Sequence, residues 1–461
     1  MLRKNRLKKL PIVLELKQFL QLGWPILLAE LLQMSMGFVD TVMAGQYGAT
    51  DLAAVALGTS ILFPVIIFLV GILLAVIPTV SQYFGARQYD LIGPYVQQSI
   101  WLGLILGLLA MALMHIAEPL FVLLDINGVL RSIALNYLHA AAFALPAIAI
   151  LQSLRCFSEG LGITKPIMVI SLISLLLNIP ANYLLIYGKL GLPEMGGAGC
   201  GWASAMSFWI SLLIMLGYVS WRQDYRLFAI LSHFPRPEPS TLLAILKLGL
   251  PIGLAIFMET TAFSVVALFL APMGATVVAG HQLVLNFSSM VFMVPLSIGM
   301  VLTIRVGQSV GAGRPDLIAR TIKVGFSLAM ILALGSCSLM LLWPKTLAGL
   351  YSNDTAVTAL AIQLFLFAGI FQVSDAVQIS ANGALRGYKD TRIPMLLSLI
   401  AYWLLGLPLG YTLAMTDILE PRMGAQGFWI GLIVGLTCAA LLLGSRLWWI
   451  SRHYWRHGIK N

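Results

Sequence analysis

Twelve apolar stretches, each about 20 residues long, take up nearly the whole chain. They fall at roughly 23–46, 53–78, 94–117, 130–153, 166–187, 198–220, 245–270, 278–304, 321–343, 357–381, 394–415 and 425–449. A helix of that length crosses the hydrocarbon core of a bilayer. Lipid offers backbone N–H and C=O groups no partner, so each stretch has to satisfy its hydrogen bonds internally. The expected fold is therefore an all-α polytopic membrane protein with twelve transmembrane helices. Only 10% of the residues are charged, against about 25% in a soluble domain, which leaves little room for one.

The net charge of +10 invites a nucleic-acid reading, but its distribution points to a membrane. With both termini cytoplasmic, 24 of the 28 Lys and Arg residues fall inside, and only Arg131, Lys189, Lys345 and Arg422 fall outside. That bias is the positive-inside signature and favours an even number of spans. Residues 1–22, with Arg3, Lys4, Arg6, Lys8, Lys9 and Lys17, read as an amphipathic lead-in at the cytoplasmic face. They lack the short apolar core and cleavage site of a signal peptide. The Pro-rich, charged stretch at 221–244 reads as a cytoplasmic linker, and 450–461 as a basic cytoplasmic tail. Cys156, Cys200, Cys337 and Cys438 are scattered, with no pairing pattern for a disulfide framework or metal site.

The linker sits near the midpoint, and the halves on either side (23–220 and 245–449) look like copies. Shifted by 226, residues 23–92 align without a gap on 249–318, with 20 identities in 70. The matches include punctuation that apolar bias cannot produce: Gly23-x-Pro25-Ile26 with Gly249-x-Pro251-Ile252, and Gly48-Ala-Thr50 with Gly274-Ala-Thr276. At a second shift, of 228, Pro166, Pro180 and Tyr183 meet Pro394, Pro408 and Tyr411. Six spans per half keep the orientation, so the repeats are parallel. Transporters place substrate between such halves and rock them to alternate access.

Asp40, Glu259 and Asp375 lie within the apolar stretches. A carboxylate at membrane depth costs several kcal/mol, and persists by facing a cavity, a partner or an ion, or by taking up a proton. All three break the repeat: Asp40 aligns with Val266, Glu259 with Gln33, and Asp375 with no acid. If Glu259 and Asp375 face each other, both cannot stay ionised cheaply, so a cation or a proton belongs between them. Asn178 and Asn182 are one turn apart, face the same way, and suit hydrogen bonds to Asp40 or, as a plainer role, to a neighbouring helix. Gln33 lies two turns before Asp40 on roughly the same face. Pro180, between the asparagines, is a candidate kink. The plainer readings hold for three further features. Glu30 snorkels or pairs with a basic residue. His281, with Gln282 at the opening of the eighth span, only hydrogen-bonds. Arg386 to Arg392 form a cytoplasmic loop that sets topology and meets anionic headgroups.

Several motifs in order resemble a known family: Met36-Gly-Phe-Val-Asp-Thr-Val-Met-Ala-Gly45, Leu177-Asn-Ile-Pro-Ala-Asn-Tyr183, Gly280-His-Gln-Leu-Val-Leu-Asn-Phe-Ser-Ser289 and Asp375-Ala-Val-Gln378 with Leu385-Arg-Gly387. The chain is similar, from about residue 18 to 450, to the multidrug and toxic compound extrusion transporters of the NorM-like branch. The resemblance implies two pseudo-symmetric six-helix lobes around a central cavity, in a bacterial inner membrane. It implies export of organic cations and fluoroquinolone-type drugs by antiport with Na+ or H+. It places the cation-coupling residues at Asp40, Glu259 and Asp375, with Na+ at Glu259 and Asp375, and a polar network at Asn178, Asn182 and Ser204. Some members carry a tyrosine where this chain has Phe371, which removes an oxygen ligand. No other cofactor, no nucleic acid and no partner subunit is expected. Methionines and aromatics such as Phe287, Phe292 and Met293 suit a soft wall for lipophilic cations. No Gly-x-x-x-x-Gly-Lys-Ser/Thr phosphate cradle is present, so an ion gradient has to drive the cycle. The rival readings are a lipid-linked intermediate flippase, whose anionic substrate wants a basic cavity, and a channel or receptor.

Overall fold

The computed structural model describes residues 2–123, 125–126, 128–231, 235–418 and 421–457, with side chains from Ile12 to Tyr454. The side chains of the basic residues Arg3 to Lys9, of Arg456 and of Lys460 lie outside that set. Among the described residues all regular secondary structure is helical, with no strand.

Twelve helices among them are long and apolar enough to cross a membrane, as the sequence predicts: Ile12–Tyr47, Ala49–Gly85, Tyr89–His115, Gly128–Gly160, Lys165–Ile186, Gly197–Trp221, Pro239–Met273, Ala275–Gly311, Pro315–Leu342, Thr355–Gly387, Arg392–Met415 and Ala425–Tyr454. They are the first to twelfth spans below. The linker does not run free. Gln97 and Gln98 of the third span donate to the carbonyls of Ile230 (2.8 Å) and Arg236 (3.0 Å), and Trp101 Nε1 donates to that of Pro235 (2.9 Å).

The repeat is written into the backbone. After the second span, Ala86 N donates to Gln82 O and Gln88 N to Tyr83 O, both at 2.9 Å. At the equivalent turn after the eighth span, Ala312 N donates to Gln308 O and Arg314 N to Ser309 O, both at 3.0 Å. Ahead of the sixth span, Met195 N donates to Leu185 O at 3.1 Å, and ahead of the twelfth its equivalent, Met423 N, donates to Leu413 O at 3.0 Å. This last match extends the repeat to Met195-Gly196-x-x-Gly199 and Met423-Gly424-x-x-Gly427. Gly196 and Gly424 both take a left-handed φ, 54° and 59°, a region open to glycine at little cost.

The chain divides into two compact units, residues 28–253 and residues 1–27 with 254–461. The boundaries follow Leu27 and Gly253, which are equivalent points of the repeat. Each unit thus takes the opening residues of the other half's first helix. In the C-terminal unit, Phe19 packs near Gly325, and buried Glu15 takes both Nε and Nη2 of Arg305, at 3.1 and 3.0 Å. In the N-terminal unit, Gly249 lies so close to Ile72 that an added Cβ would meet its carbonyl oxygen at 2.0 Å.

Candidate cation-coupling sites

The acids singled out in the sequence fall into one buried cluster in each unit. In the N-terminal unit, Asp40 of the first span is met by the fifth and sixth. Asn182 Nδ2 donates to Asp40 Oδ1 at 2.6 Å and to Asn178 Oδ1 at 3.0 Å. Ser204 Oγ donates to Asp40 Oδ2 at 2.8 Å and accepts from Asn178 Nδ2 at 3.3 Å. The i,i+4 spacing on one helix puts both amides on one face, and both are fully buried. Each carboxylate oxygen therefore has a donor, an arrangement that suits a carboxylate in this largely buried setting. Asn182 Oδ1 is buried with no partner. Turning that amide over exchanges a donor for an acceptor, which is what a protonated Asp40 needs. Gln33 is exposed and makes no hydrogen bond to this cluster, and Thr41 Oγ1 bonds back to Gly37 O in its own helix. The fifth span stays α-helical on both sides of Pro180, whose missing N–H removes one bond of the helical ladder.

A change of helix type occurs in the C-terminal unit. The eleventh span changes to π-helix over Ile400–Gly406. Pro408 lacks the N–H that would bond to Leu404 O, and its ring crowds that carbonyl. Gly406 and Gly410 let the twelfth span come close: a Cβ on Gly431 would meet Gly410 Cα at 2.4 Å and Gly406 O at 2.5 Å. The π turn aims two aromatics at the seventh span. Tyr402 OH donates to Glu259 Oε1 at 3.1 Å, and Trp403 Nε1 to Met258 O at 3.0 Å.

Asp375 of the tenth span is 1% exposed, and its Oδ2 has no partner. It lies within electrostatic reach of Glu259, and Tyr402 within reach of both. Gln378, one turn on, is fully buried near Glu259, yet its amide nitrogen and oxygen complete no hydrogen bond. A buried polar atom left unpaired costs about 1–3 kcal/mol, a cost that a partner from outside the chain would relieve. Carboxylate, amide and phenol oxygens are hard ligands suited to a cation or a proton. Phe371 offers no oxygen and packs edge-on against Phe263 (5.9 Å) and Trp429 (6.0 Å).

Three expectations need correction. His281 does not hydrogen-bond at a span end: it lies inside the eighth span, fully buried, with neither ring nitrogen partnered and its ring 5.9 Å from that of Trp429. Arg386 is not in a loop, because the tenth helix continues to Gly387 and brings its charge within reach of Glu259. Gln33 does not join the Asp40 network: it is exposed and makes none of that cluster's hydrogen bonds. Tyr402 is a site residue that sequence reasoning misses, because a tyrosine in an apolar run reads as core. Pro408 with the Gly406/Gly410 pair is the signal that the helix there departs from regular geometry.

The MatE family model matches this chain twice, over residues 25–184 and 251–412. The chain belongs to the MatE family. The two matches start and stop at equivalent points of the repeat, the starts related by its first shift and the ends by its second. Over 443 residues, this MatE protein is 46% identical to the multidrug resistance protein PmpM of Pseudomonas aeruginosa, covering 96% of this chain and 93% of the relative. It is also 46% identical to the probable multidrug resistance protein NorM of Shewanella oneidensis, with 95% of each covered. In fold it is similar to the Vibrio cholerae MATE transporter VcmN in the bent form, with a TM-score of 0.85 at 20% identity over 96% of this chain and 98% of that one. It is thus a twelve-span membrane transporter of the multidrug efflux type and not an enzyme.

Proposed function

We propose that this MatE protein is a secondary active exporter of organic cations and fluoroquinolone-type drugs, driven by antiport with Na+ or H+, with Na+ favoured. One observation carries the coupling assignment: buried Asp375, with an unpartnered carboxylate oxygen, lies within electrostatic reach of Glu259. A cation arriving there relieves the repulsion and pairs with the free oxygen, and that gain in binding energy is what biases the lobes toward a new conformation. Asp40, with its exchangeable amide partners, is the second coupling residue, and release of drug follows cation binding. Close relatives are named multidrug resistance proteins, which supports drugs as the cargo. The basic-residue bias supports cytoplasmic termini in a bacterial inner membrane, and the protein is expected to work as a monomer. A flippase for anionic lipid-linked intermediates fits poorly, because Asp40, Glu259 and Asp375 would repel its substrate.

The test is efflux of ethidium or norfloxacin from proteoliposomes with a Na+ or an H+ gradient imposed separately, for wild type and Asp375→Asn. The expected result is efflux driven by Na+ alone, reduced at least about tenfold in the variant, the effect of about 1.4 kcal/mol. Efflux driven only by protons with Asp375→Asn still active would move the coupling site to Asp40. No gradient-driven efflux would overturn antiport altogether.

A further inference from the structure

The N-terminal unit buries a second charged group, separate from Asp40. Arg155 Nε of the fourth span donates to Glu159 Oε1 at 2.8 Å, and its Nη2 pairs with Glu30 Oε1 of the first span. The Arg155 and Glu159 side chains are 7% and 0% exposed, and that of Glu30 is 19% exposed. Glu159 Oε2 has no hydrogen-bond partner. Glu30 lies ten residues before Asp40 in the same helix, about 15 Å along its axis, so the two groups are distinct.

The charges of this group do not balance. Two carboxylates and one guanidinium carry a net charge of −1 when all are ionised, and a guanidinium does not give up its proton. A buried, uncompensated charge is costly, and the usual escape is neutralisation. Among the described residues, nothing else packed around Glu159 supplies a positive charge. Its own helix adds only Arg155 and the Cys156 thiol. The second and third spans contribute neutral hydroxyls, Thr79 Oγ1 accepting from Tyr95 OH at 3.2 Å, and Tyr225 OH meets Ser158 Oγ at 2.6 Å. Glu15 makes the contrast within this protein. It is also buried, but it is paired one to one with Arg305 and accepts from Thr321 Oγ1 at 2.8 Å, so its charges balance. The repeat shows the same asymmetry. The loop after the fourth span closes with Gly162 N donating to Glu159 O (2.8 Å), and the equivalent loop with Lys389 N donating to Arg386 O (2.8 Å). The position that is acidic in one lobe is basic in the other.

We propose that Glu30, Arg155 and Glu159 form a proton-binding site, on the inner side of Asp40, that holds one proton on Glu159. A proton from water forms an O–H bond at the free carboxylate oxygen, and the triad passes from −1 to neutral.

The test is infrared difference spectroscopy of the reconstituted full-length protein across a pH titration, read at the C=O stretch of protonated carboxyls. An Asp40→Asn, Glu259→Gln, Asp375→Asn background removes the three candidate coupling acids, and Glu15 stays ionised in its one-to-one pair with Arg305. In that background a titrating carboxyl band is expected, and Glu159→Gln is expected to abolish it. Glu30→Gln should abolish it too, because one acid and one base remain and Glu159 stays ionised. That variant is charge-balanced, so the test survives if Glu159→Gln folds poorly. A band unchanged by both substitutions, or one removed by replacing choline chloride with NaCl at fixed pH, would overturn the proposal. Drug efflux plays no part in this measurement, so its failure is distinguishable from failure of the antiport reading.

Discussion

The two lobes share one frame and invert each other's chemistry within it. At the second shift of the repeat, Asn178 and Asn182 of the fifth span stand where the eleventh has Gly406 and Gly410. In the N-terminal lobe these positions carry amides that reach Asp40. In the C-terminal lobe they carry no side chain, the twelfth span closes in, and the carboxylate partner becomes Tyr402 on a π turn. The result is one acid, Asp40, with donors on both oxygens, against a pair in which Glu259 takes the Tyr402 hydroxyl and Asp375 Oδ2 is unmet. A duplicated scaffold can therefore place a satisfied and an unsatisfied carboxylate at its two candidate coupling clusters.

The contrast is broken most strongly by removing one donor from each lobe. Asn182→Ala takes the 2.6 Å donor from Asp40 and leaves a buried charge short of a partner, at a cost of about 1.5–3 kcal/mol. Gradient-driven efflux at fixed protein content is expected to fall by at least about tenfold. Tyr402→Phe removes a longer bond, at 3.1 Å, and should lower efflux less, mainly by raising the cation concentration for half-maximal rate. Equal losses in both variants would show that the two carboxylates are held alike.

The packing difference is sharpened by Gly431→Ala and Ala203→Gly, which exchange aligned residues. The added methyl in the C-terminal lobe meets Gly410 Cα at 2.4 Å, and overpacking of this kind costs about 1–3 kcal/mol. The reverse change is expected to cost no more than about 1 kcal/mol, the helix penalty of glycine. Thermal unfolding in detergent reads both. A neutral Gly431→Ala would show that the close approach is not what seats the π turn.

The smallest effects lie at two loops where the lobes swap residues in left-handed backbone. Arg87 (φ 59°) aligns with Gly313 (63°), and Lys389 (63°) with Gly162 (81°). Arg87→Gly and Lys389→Gly should each stabilise by about 1 kcal/mol, since a Cβ is disfavoured there. Burial also pulls the Lys389 amine down to about 8. Its unfolded value is about 10.4, so the folded state resists the charged form. That cost is present below pH 8 and fades as pH rises toward 10.4. The gain from Lys389→Gly should accordingly shrink above pH 8, while that from Arg87→Gly stays flat.

The twelve spans and the repeat are legible because length, hydropathy and Gly/Pro punctuation are one-dimensional signals. So is most of the Asp40 cluster: polar residues in apolar helices stand out, and i,i+4 spacing fixes a shared face. Gln33 misleads because sharing a face at two turns' distance does not make a contact. Tyr402 stays hidden because a π turn rotates the residues that follow it, and regular spacing cannot follow that rotation. Arg386 stays hidden because a polar sequence at a helix end looks like a loop until the helix is seen to continue. His281 misleads because the eighth helix starts earlier than its apolar run, so a residue at the edge of the run lies well inside the helix.

The exchange of helix openings between the units has a bearing on descent. Residues 1–27 complete the C-terminal unit, and the unit of residues 28–253 includes the opening of the seventh span. A single-repeat ancestor built on this plan could not have closed its own fold. It would have worked as a pair of identical chains, each lending an arm to the other, and joining the two in one chain would turn a borrowed arm into an internal one. Once the partners were covalently joined, their sequences no longer had to be identical, which freed one lobe to keep its asparagines and the other its glycines.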